Sequence, residues 1–519
     1  MSTDEAAPLA GPSDAPSTSA AALAGAIAAA VALGLAELLA GTTVLVPSPI
    51  DAISQQVIPR TPEVVTRWAI ATFGTSDIAV LNAGTTSVAL VIGAVTGVAA
   101  RRRPARAVVV FAAAGALGLL AARARSEAAL VPTALVLLVA VISGSLALRT
   151  LLRLGATPPG TSDADGIARR RFLLAGGGIA TAAVLSAATG RFLLRGNLAV
   201  VDPTDVALPA PARSLPSPGP SAELSVEGLS PLFTPNARFY IIDTAVAVPQ
   251  IDPATWSLRI HGLVDREVTL SYDDLLARPL EEVDVTLSCV SNEVGGDLVG
   301  NARWLGVRLA DLLGEAGVRA DCEQLIGRSS DGFTAGFPVE VAMDGRDAIV
   351  AVAMNGEPLP TEHGFPARLV VPGLYGYVSA TKWLTELELT TADVDGYWIP
   401  RGWSKEGPIK TQSRIDVPAR GASVAPGQVV VAGVAWAPIR GIAGVEVAVD
   451  GGGWTAAELS DPLSAGTWVQ WRAMVEVDAG DHVVQVRATD GEGRTQGEGR
   501  VAPAPDGAEG WHRVTFRAA

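Results

Sequence analysis

At 519 residues the chain is too long for one hydrophobic core, and about three or four domains are expected. Hydrophobic residues make up 49% and charged residues only 18%, with a mean hydropathy of +0.34, which points towards a membrane protein. The net charge of −14 is unevenly spread: residues 1–195 carry 15 Arg and 10 Asp or Glu (+5), the remainder 24 Lys or Arg and 43 Asp or Glu (−19), and so acidic a second part argues against nucleic acid as a partner.

In chain order, residues 1–19 read as a disordered tail, and 20–195 as a bundle of about five membrane-spanning helices. The apolar stretches lie near 20–46, 77–100, 107–122, 127–148 and 172–190. A span needs roughly 20 apolar residues, and the short third stretch has arginines at its ends that can snorkel. Glu37 lies inside a stretch and is a functional candidate by default, whereas Asp77 reads as interfacial. Arg101, Arg102, Arg103 and Arg106 crowd one loop, and Arg149, Arg153, Arg169, Arg170 and Arg171 precede the last stretch. Those loops are expected on the cytoplasmic side, which puts everything after residue 195 outside. Arg169, Arg170, Phe172 and Leu173 also fit the R-R-x-F-L pattern of a twin-arginine export signal, although a positive-inside anchor explains the same arginines. The G-x-G at Gly176 and Gly178 follows an arginine cluster rather than a strand and has Thr181 at the third glycine position, so no dinucleotide loop is read there.

Residues 196–229 form a Pro-rich linker, expected to be extended and semi-rigid. From 230 to 392 short strands and helices mix without regular alternation, which indicates an α+β domain. A connector, 393–415, leads to 416–500, where strands recur between Gly- and Asp-rich turns at the spacing of a small β-sandwich of immunoglobulin-like type. Residues 501–519 are a tail with a Gly/Pro-rich 501–510 and a last strand-like piece.

The chemistry centres on Cys289. It ends the alternating run V-D-V-T-L-S-C and precedes a polar, glycine-bearing turn, S-N-E-V-G-G. A thiol there is placed to hold a soft metal. The same strand pattern, with Val283, Val285 and Leu287 on its face, also suits a buried core cysteine. A disulfide to Cys322, the only other cysteine, is a further alternative outside the cytoplasm. The four histidines, His261, His363, His482 and His512, lie far apart, so no zinc spacing exists.

The Cys289 segment continues through G-N-A-R-W-L-G-V-R-L, and some seventy residues later comes E-H-G-F-P-A-R-L-V-V-P-G-L-Y-G-Y-V-S-A-T-K-W-L. Together, over about 230–500, these resemble the sulfite oxidase family of molybdenum–pterin oxidoreductases, of membrane-anchored bacterial type. The resemblance implies a molybdopterin cofactor with Cys289 as the molybdenum ligand. It implies pterin contacts from His363 and Arg368, with Ser379 and Lys382 nearby and Tyr240 and Asp331 in further matching stretches. A thiolate is a soft anionic donor, and a phosphate-bearing pterin suits the arginine fork and the lysine point charge. The family's dimerisation domain has its counterpart in the sandwich, which implies a homodimer.

Two departures weaken sulfite as the substrate. Trp403, in Y-W-I-P-R-G-W-S-K, stands where sulfite-oxidising members have a tyrosine, and an indole lacks the phenol's acid–base character. Ile241 and Ile242, in F-Y-I-I-D-T, stand where those members carry an arginine for the anion. A small neutral oxo-compound such as a sulfoxide or N-oxide becomes competitive. The expectation is a membrane-anchored, extracytoplasmic oxygen-atom-transfer enzyme, with a non-catalytic binding protein on a relic fold as the rival. Residues 1–195 contain no histidine and the chain has no C-x-x-C-H, so no haem is expected and electrons go to a separate redox partner or quinone.

Overall fold

The computed structural model describes residues 16–43, 46–62, 65, 68–69, 72–73, 77–101, 103, 105–123, 129–156, 162–197, 202–245 and 248–519. The expected tail before residue 16 and the side chain of Asp77 lie outside the described residues. Two units separate: residues 1–200 with 245–247, and 201–244 with 248–519.

The first unit is helical: α1 (Thr18–Ala40), α2 (Pro49–Val57), α3 (Asp77–Ala100), α4 (Ala105–Arg123), α5 (Leu130–Leu154) and α6 (Ser162–Asn197). All but α2 are long and apolar enough to cross a membrane. The first helix stops at Ala40 instead of running to 46, because Gly41 caps it and Pro47 and Pro49 follow. The chain re-enters a helix at α2, where the Ser48 hydroxyl accepts from the Asp51 N–H. Helix α1 packs against α3, α5 and α6. Small residues permit this: a Cβ on Gly25 would come within 2.0 Å of the Gly93 carbonyl, and one on Gly190 within 2.3 Å of the Glu37 carbonyl. Glu37 is fully buried and tied to two other helices. Its Oε1 accepts from the Ser48 hydroxyl at 2.7 Å, and its Oε2 lies 3.0 Å from Arg191 Nε. Arg191 also meets Asp51 at 3.0 Å, and Asp51 accepts from Asn82 at 3.0 Å. Charges inside apolar helices persist when paired in this way.

In the second unit the strands are β1 (Ser257–Gly262), β2 (Val268–Ser271), β3 (Glu281–Ser288), β4 (Val299–Arg308), β5 (Gln324–Ser329), β6 (Thr334–Pro338), β7 (Ile349–Met354), β8 (Glu357–Pro358), β9 (Arg368–Val370) and β10 (Leu384–Thr390). One sheet has the order β2-β1-β10-β5-β6, with β1 and β10 parallel. The other has β3-β4-β7-β8, with β9 added on β7. One core, including Leu258, Trp304, Leu325, Val352 and Leu387, joins both.

The remaining strands are β11 (Gln412–Val417), β12 (Ser423–Val424), β13 (Gly427–Trp436), β14 (Ile442–Val449), β15 (Thr455–Ala456), β16 (Glu458–Leu459), β17 (Val469–Val477), β18 (Gly480–Asp490) and β19 (His512–Ala518). Sheets β11-β13-β17-β16 and β12-β19-β18-β14-β15 enclose a second core with Val431, Val447, Trp471, Val486 and Phe516. Strand β19, the strand-like piece at the end of the sequence, sits between β12 and β18. The Pro-rich segment is extended but is not a free spacer. Arg213 pairs with Glu281, the Leu215 N–H donates to Glu282 at 2.7 Å, and the Leu224 N–H donates to Gln470 at 2.6 Å.

Candidate active site

Cys289 follows β3 directly, at the first residue of the β3–β4 hairpin loop. The Cys289 N–H donates to the Leu298 carbonyl and the Asn292 N–H to the Cys289 carbonyl, at 2.9 and 3.1 Å. The buried Asn292 side chain accepts from the Leu298 N–H at 2.9 Å. The thiol is free and 7% exposed. Burial raises its pKa, opposed by hydrogen bonds from Ser291. Cys322 is also a free thiol, bonded to the Gln324 and Thr390 carbonyls, so the two do not form a disulfide.

Strand β3 departs from the expected pattern. An alternating run predicts one face inside and one outside, yet Asp284, Thr286 and Ser288 are as buried as Val283, Val285 and Leu287. The polar face is covered and satisfied. Arg303 grips Asp284 through two bonds of 2.8 and 2.9 Å, and the Thr286 hydroxyl donates to Asn301 and accepts from the Trp468 N–H.

The basic residues of the second motif are buried as well. Arg368 opens β9 and is 6% exposed. It donates to the His363 carbonyl at 3.0 Å and lies 5.1 Å from the centre of the Trp304 ring. No carboxylate pairs with it among the described ion pairs, and burial lowers its pKa to about 10. Lys382 is also buried. It reaches Asp243 at 2.5 Å, the Glu362 carbonyl at 2.9 Å and the Trp383 ring, and burial lowers its pKa against the pull of Asp243. His363 ends a 3₁₀ turn. Its Nε2–H donates to the Asn236 carbonyl at 2.9 Å, which makes Nδ1 the unprotonated nitrogen. Burial lowers its pKa to about 4, helped by the charges of Arg368 and Lys382. The turn needs Gly364 at φ +111°, where a Cβ would press on Arg368 and Lys382 at 3.1 Å.

Tyr240 completes this group. Its ring stacks on Phe239 at 5.3 Å, and Phe239 contacts His363 and Trp304 edge-on. Gly300, in V-G-N-A-R-W, leaves room for that phenyl ring: a Cβ would lie 2.6 Å from it. Burial raises the Tyr240 pKa, with Cys289 adding to the rise and Arg368 opposing it, which sets the phenol within electrostatic reach of both the thiol and the guanidinium. Asp331, in the β5–β6 turn, accepts from the Phe333 N–H and acts on Lys382.

Two expected residues stand differently. The Ser379 hydroxyl is fully buried and donates to the Leu374 and Tyr375 carbonyls, so only its acceptor lone pairs remain for a ligand. Trp403 packs on Tyr377 at 5.9 Å and Trp398 at 6.5 Å, and no described contact joins it to Cys289. The sequence reading passed over Asp243, the counter-ion of Lys382, and Tyr375, whose pKa is raised to about 12 mainly by burial and also by Cys289. Asp243 is the acid of the F-Y-I-I-D run and could have been found there. Tyr375 looks like any core aromatic.

The donor set suits a phosphate-bearing pterin that carries a soft metal. An uncompensated buried guanidinium costs several kcal/mol, and an anion at about 4 Å returns roughly 4 kcal/mol at an effective dielectric of about 20. The single thiol fits one soft metal bond, and among the described residues no cluster of three or more His, Cys, Asp or Glu offers another metal site.

Residues 245–398 match the family described as "oxidoreductase molybdopterin binding domain". The chain is 33% identical over 348 residues to the mitochondrial sulfite oxidase of Mus musculus, covering 57% of this chain and 63% of that protein, so it spans less than two thirds of that relative. It is 30% identical to the sulfite oxidase of Gallus gallus, covering 55% of this chain and 71% of the relative. It is 36% identical to the uncharacterized oxidoreductase YuiH of Bacillus subtilis (strain 168), covering 33% of this chain and 84% of the relative.

Proposed function

The chain belongs to the sulfite oxidase family of molybdopterin oxidoreductases, and from that premise we propose a membrane-anchored enzyme for oxygen-atom transfer at a molybdenum held by Cys289. The observation that carries this reading is a buried thiol and a buried arginine that both act on Tyr240, the arginine having no carboxylate partner among the described residues. When bound, the molybdenum–pterin supplies two-electron oxygen-atom chemistry. Cys289 holds the metal as its thiolate, giving up its proton on loading. Arg368 would neutralise the cofactor's phosphate, Lys382, already balanced by Asp243, would add a donor to it, and His363 Nδ1, Asp331 and the Ser379 lone pairs would accept from the pterin's N–H groups. Tyr240 keeps its proton and stays a donor beside the thiolate. Trp403, with Tyr377 and Trp398, forms an aromatic wall for the substrate.

The arginine-rich loops support placing the second unit outside the cytoplasm, with the apolar helices as anchor and as dock for a separate redox partner or quinone. The two-sheet arrangement supports an immunoglobulin-like domain, and the family resemblance supports a homodimer through it.

A sulfoxide or N-oxide is favoured over sulfite by Ile241 and Ile242, which are 48% and 49% exposed beside Tyr240 and bring no charge for an anion. The test is elemental analysis with turnover of sulfite, sulfoxides and N-oxides through an artificial mediator. About one molybdenum per chain, and loss of turnover in folded Cys289→Ser, are expected. A metal-free chain from a cofactor-competent host overturns the reading in favour of a non-catalytic relic.

A further inference from the structure

The hairpin loop that begins at Cys289 does not end in solvent. Its tip, Glu293–Asp297, is seated on residues of the sandwich beside a cavity of about 680 Å³. Arg414, on β11, donates to the Gly296 carbonyl at 2.9 Å. It is itself fixed by Asp416 at 2.7 Å and the Ser230 hydroxyl at 2.8 Å. His512, the first residue of β19, lies against Gly295, where an added Cβ would fall 2.2 Å from the imidazole Nε2. Gly295 also holds φ +81°, so glycine is required twice over.

The imidazole has a fixed orientation. Its Nδ1 accepts from the Ile415 N–H at 3.0 Å, which leaves the proton on Nε2, at the edge facing the loop. Strand β11 is the edge strand of its sheet, which leaves N–H groups such as that of Ile415 for partners outside the ladder. Two residues far from Cys289 in sequence thus reach the tip of its loop. Arg500 adds only an exposed pair with Glu293 at 3.2 Å, which contributes little.

We propose that Arg414 and His512 are positioning residues for Cys289: the sandwich grips the far end of the hairpin and so fixes the thiolate. The proposal rests on the reading of Cys289 as metal ligand. Bending the tip would rotate a loop whose other end is the ligand, and the loop's internal bonds through Asn292 would transmit the movement.

The full chain in detergent, with Cys322→Ser and purified from a host that makes no pterin, provides the test. Alkylation of Cys289 and hydrogen exchange over 290–298 are measured in His512→Gln, His512→Asn and Arg414→Met. Glutamine keeps a polar group near the Nε2 position that faces the loop, and asparagine, which reaches only the Nδ1 position, does not. Labelling is expected to rise about tenfold in His512→Asn and Arg414→Met and to stay near the parent rate in His512→Gln. In loaded enzyme kcat falls in the first two while KM holds. Unchanged labelling and exchange in both, with β13 and β17 still protected, overturns the proposal. Should His512→Asn unfold the sandwich, Gly295→Ala crowds the same contact from the loop, and parental labelling there is equally fatal. Failure of the parent to bind molybdenum overturns the metal reading alone, because the labelling is read on cofactor-free chain.

Discussion

Arg368 poses the sharpest question at the level of single residues. Without an anion its burial is a liability, so Arg368→Met should leave the cofactor-free chain as stable or up to about 2 kcal/mol more stable. The same variant should lower molybdenum retention about tenfold. Urea unfolding of apo protein and elemental analysis of loaded protein check the two halves. A loss of apo stability would show that the guanidinium is a structural group. His363 gives a pH dependence. Its folded-state pKa of about 4 lies below the ordinary value of about 6.5, so the unfolded chain takes up a proton first as pH falls. Its contribution is complete above pH 6.5 and is lost between about 6.5 and 4. At pH 5 the loss is about 2 kcal/mol, and a His363→Asn variant should show a urea midpoint that falls correspondingly less between pH 7.5 and 5. His512, also lowered to about 4 by burial, leaves part of the slope in place.

At the scale of elements, β3 ties the two halves of the second unit together. Its Asp284 meets Arg303 of β4, and its Thr286 accepts from Trp468 ahead of β17. Asp284→Ala strands a mostly buried guanidinium and should cost about 3 kcal/mol in chemical denaturation, with part recovered in Asp284→Ala/Arg303→Met. The strands themselves were legible, because V-T-L-S-C and the repeated valines of β13, β17 and β18 alternate as sheets require. The covering of the polar face of β3 was not, because it depends on a partner about 180 residues away. Cys289, His363, Arg368 and Lys382 were legible because they sit in short motifs at a fixed separation. Asn236, which orients His363, and Tyr375 carry no such signal. Helix α2 was missed for a different reason: nine residues with Asp51 and Ser54 on the buried side resemble a polar loop until Glu37 and Arg191 are placed beside them.

For the whole molecule, charge and hydropathy divide the chain at about residue 195. Apolar helices with arginine-rich connections precede an acidic second unit. If the arginine loops face the cytoplasm, alkaline phosphatase fused after residue 229 should be active and the same reporter fused after residue 155 inactive. The reverse pattern would invert the orientation and rule out an extracytoplasmic site.

Strand β19 has a consequence for synthesis. It lies between β12 and β18, so the sheet that it completes stays open until residues 512–518 have left the ribosome. His512 is among them. A nascent chain halted before that point can have the whole 245–398 domain emerged and still lack one jaw of the grip on the Cys289 loop. Cofactor loading that needs a settled thiol then waits for β19 to emerge, which separates synthesis of the 245–398 domain from metal insertion in time.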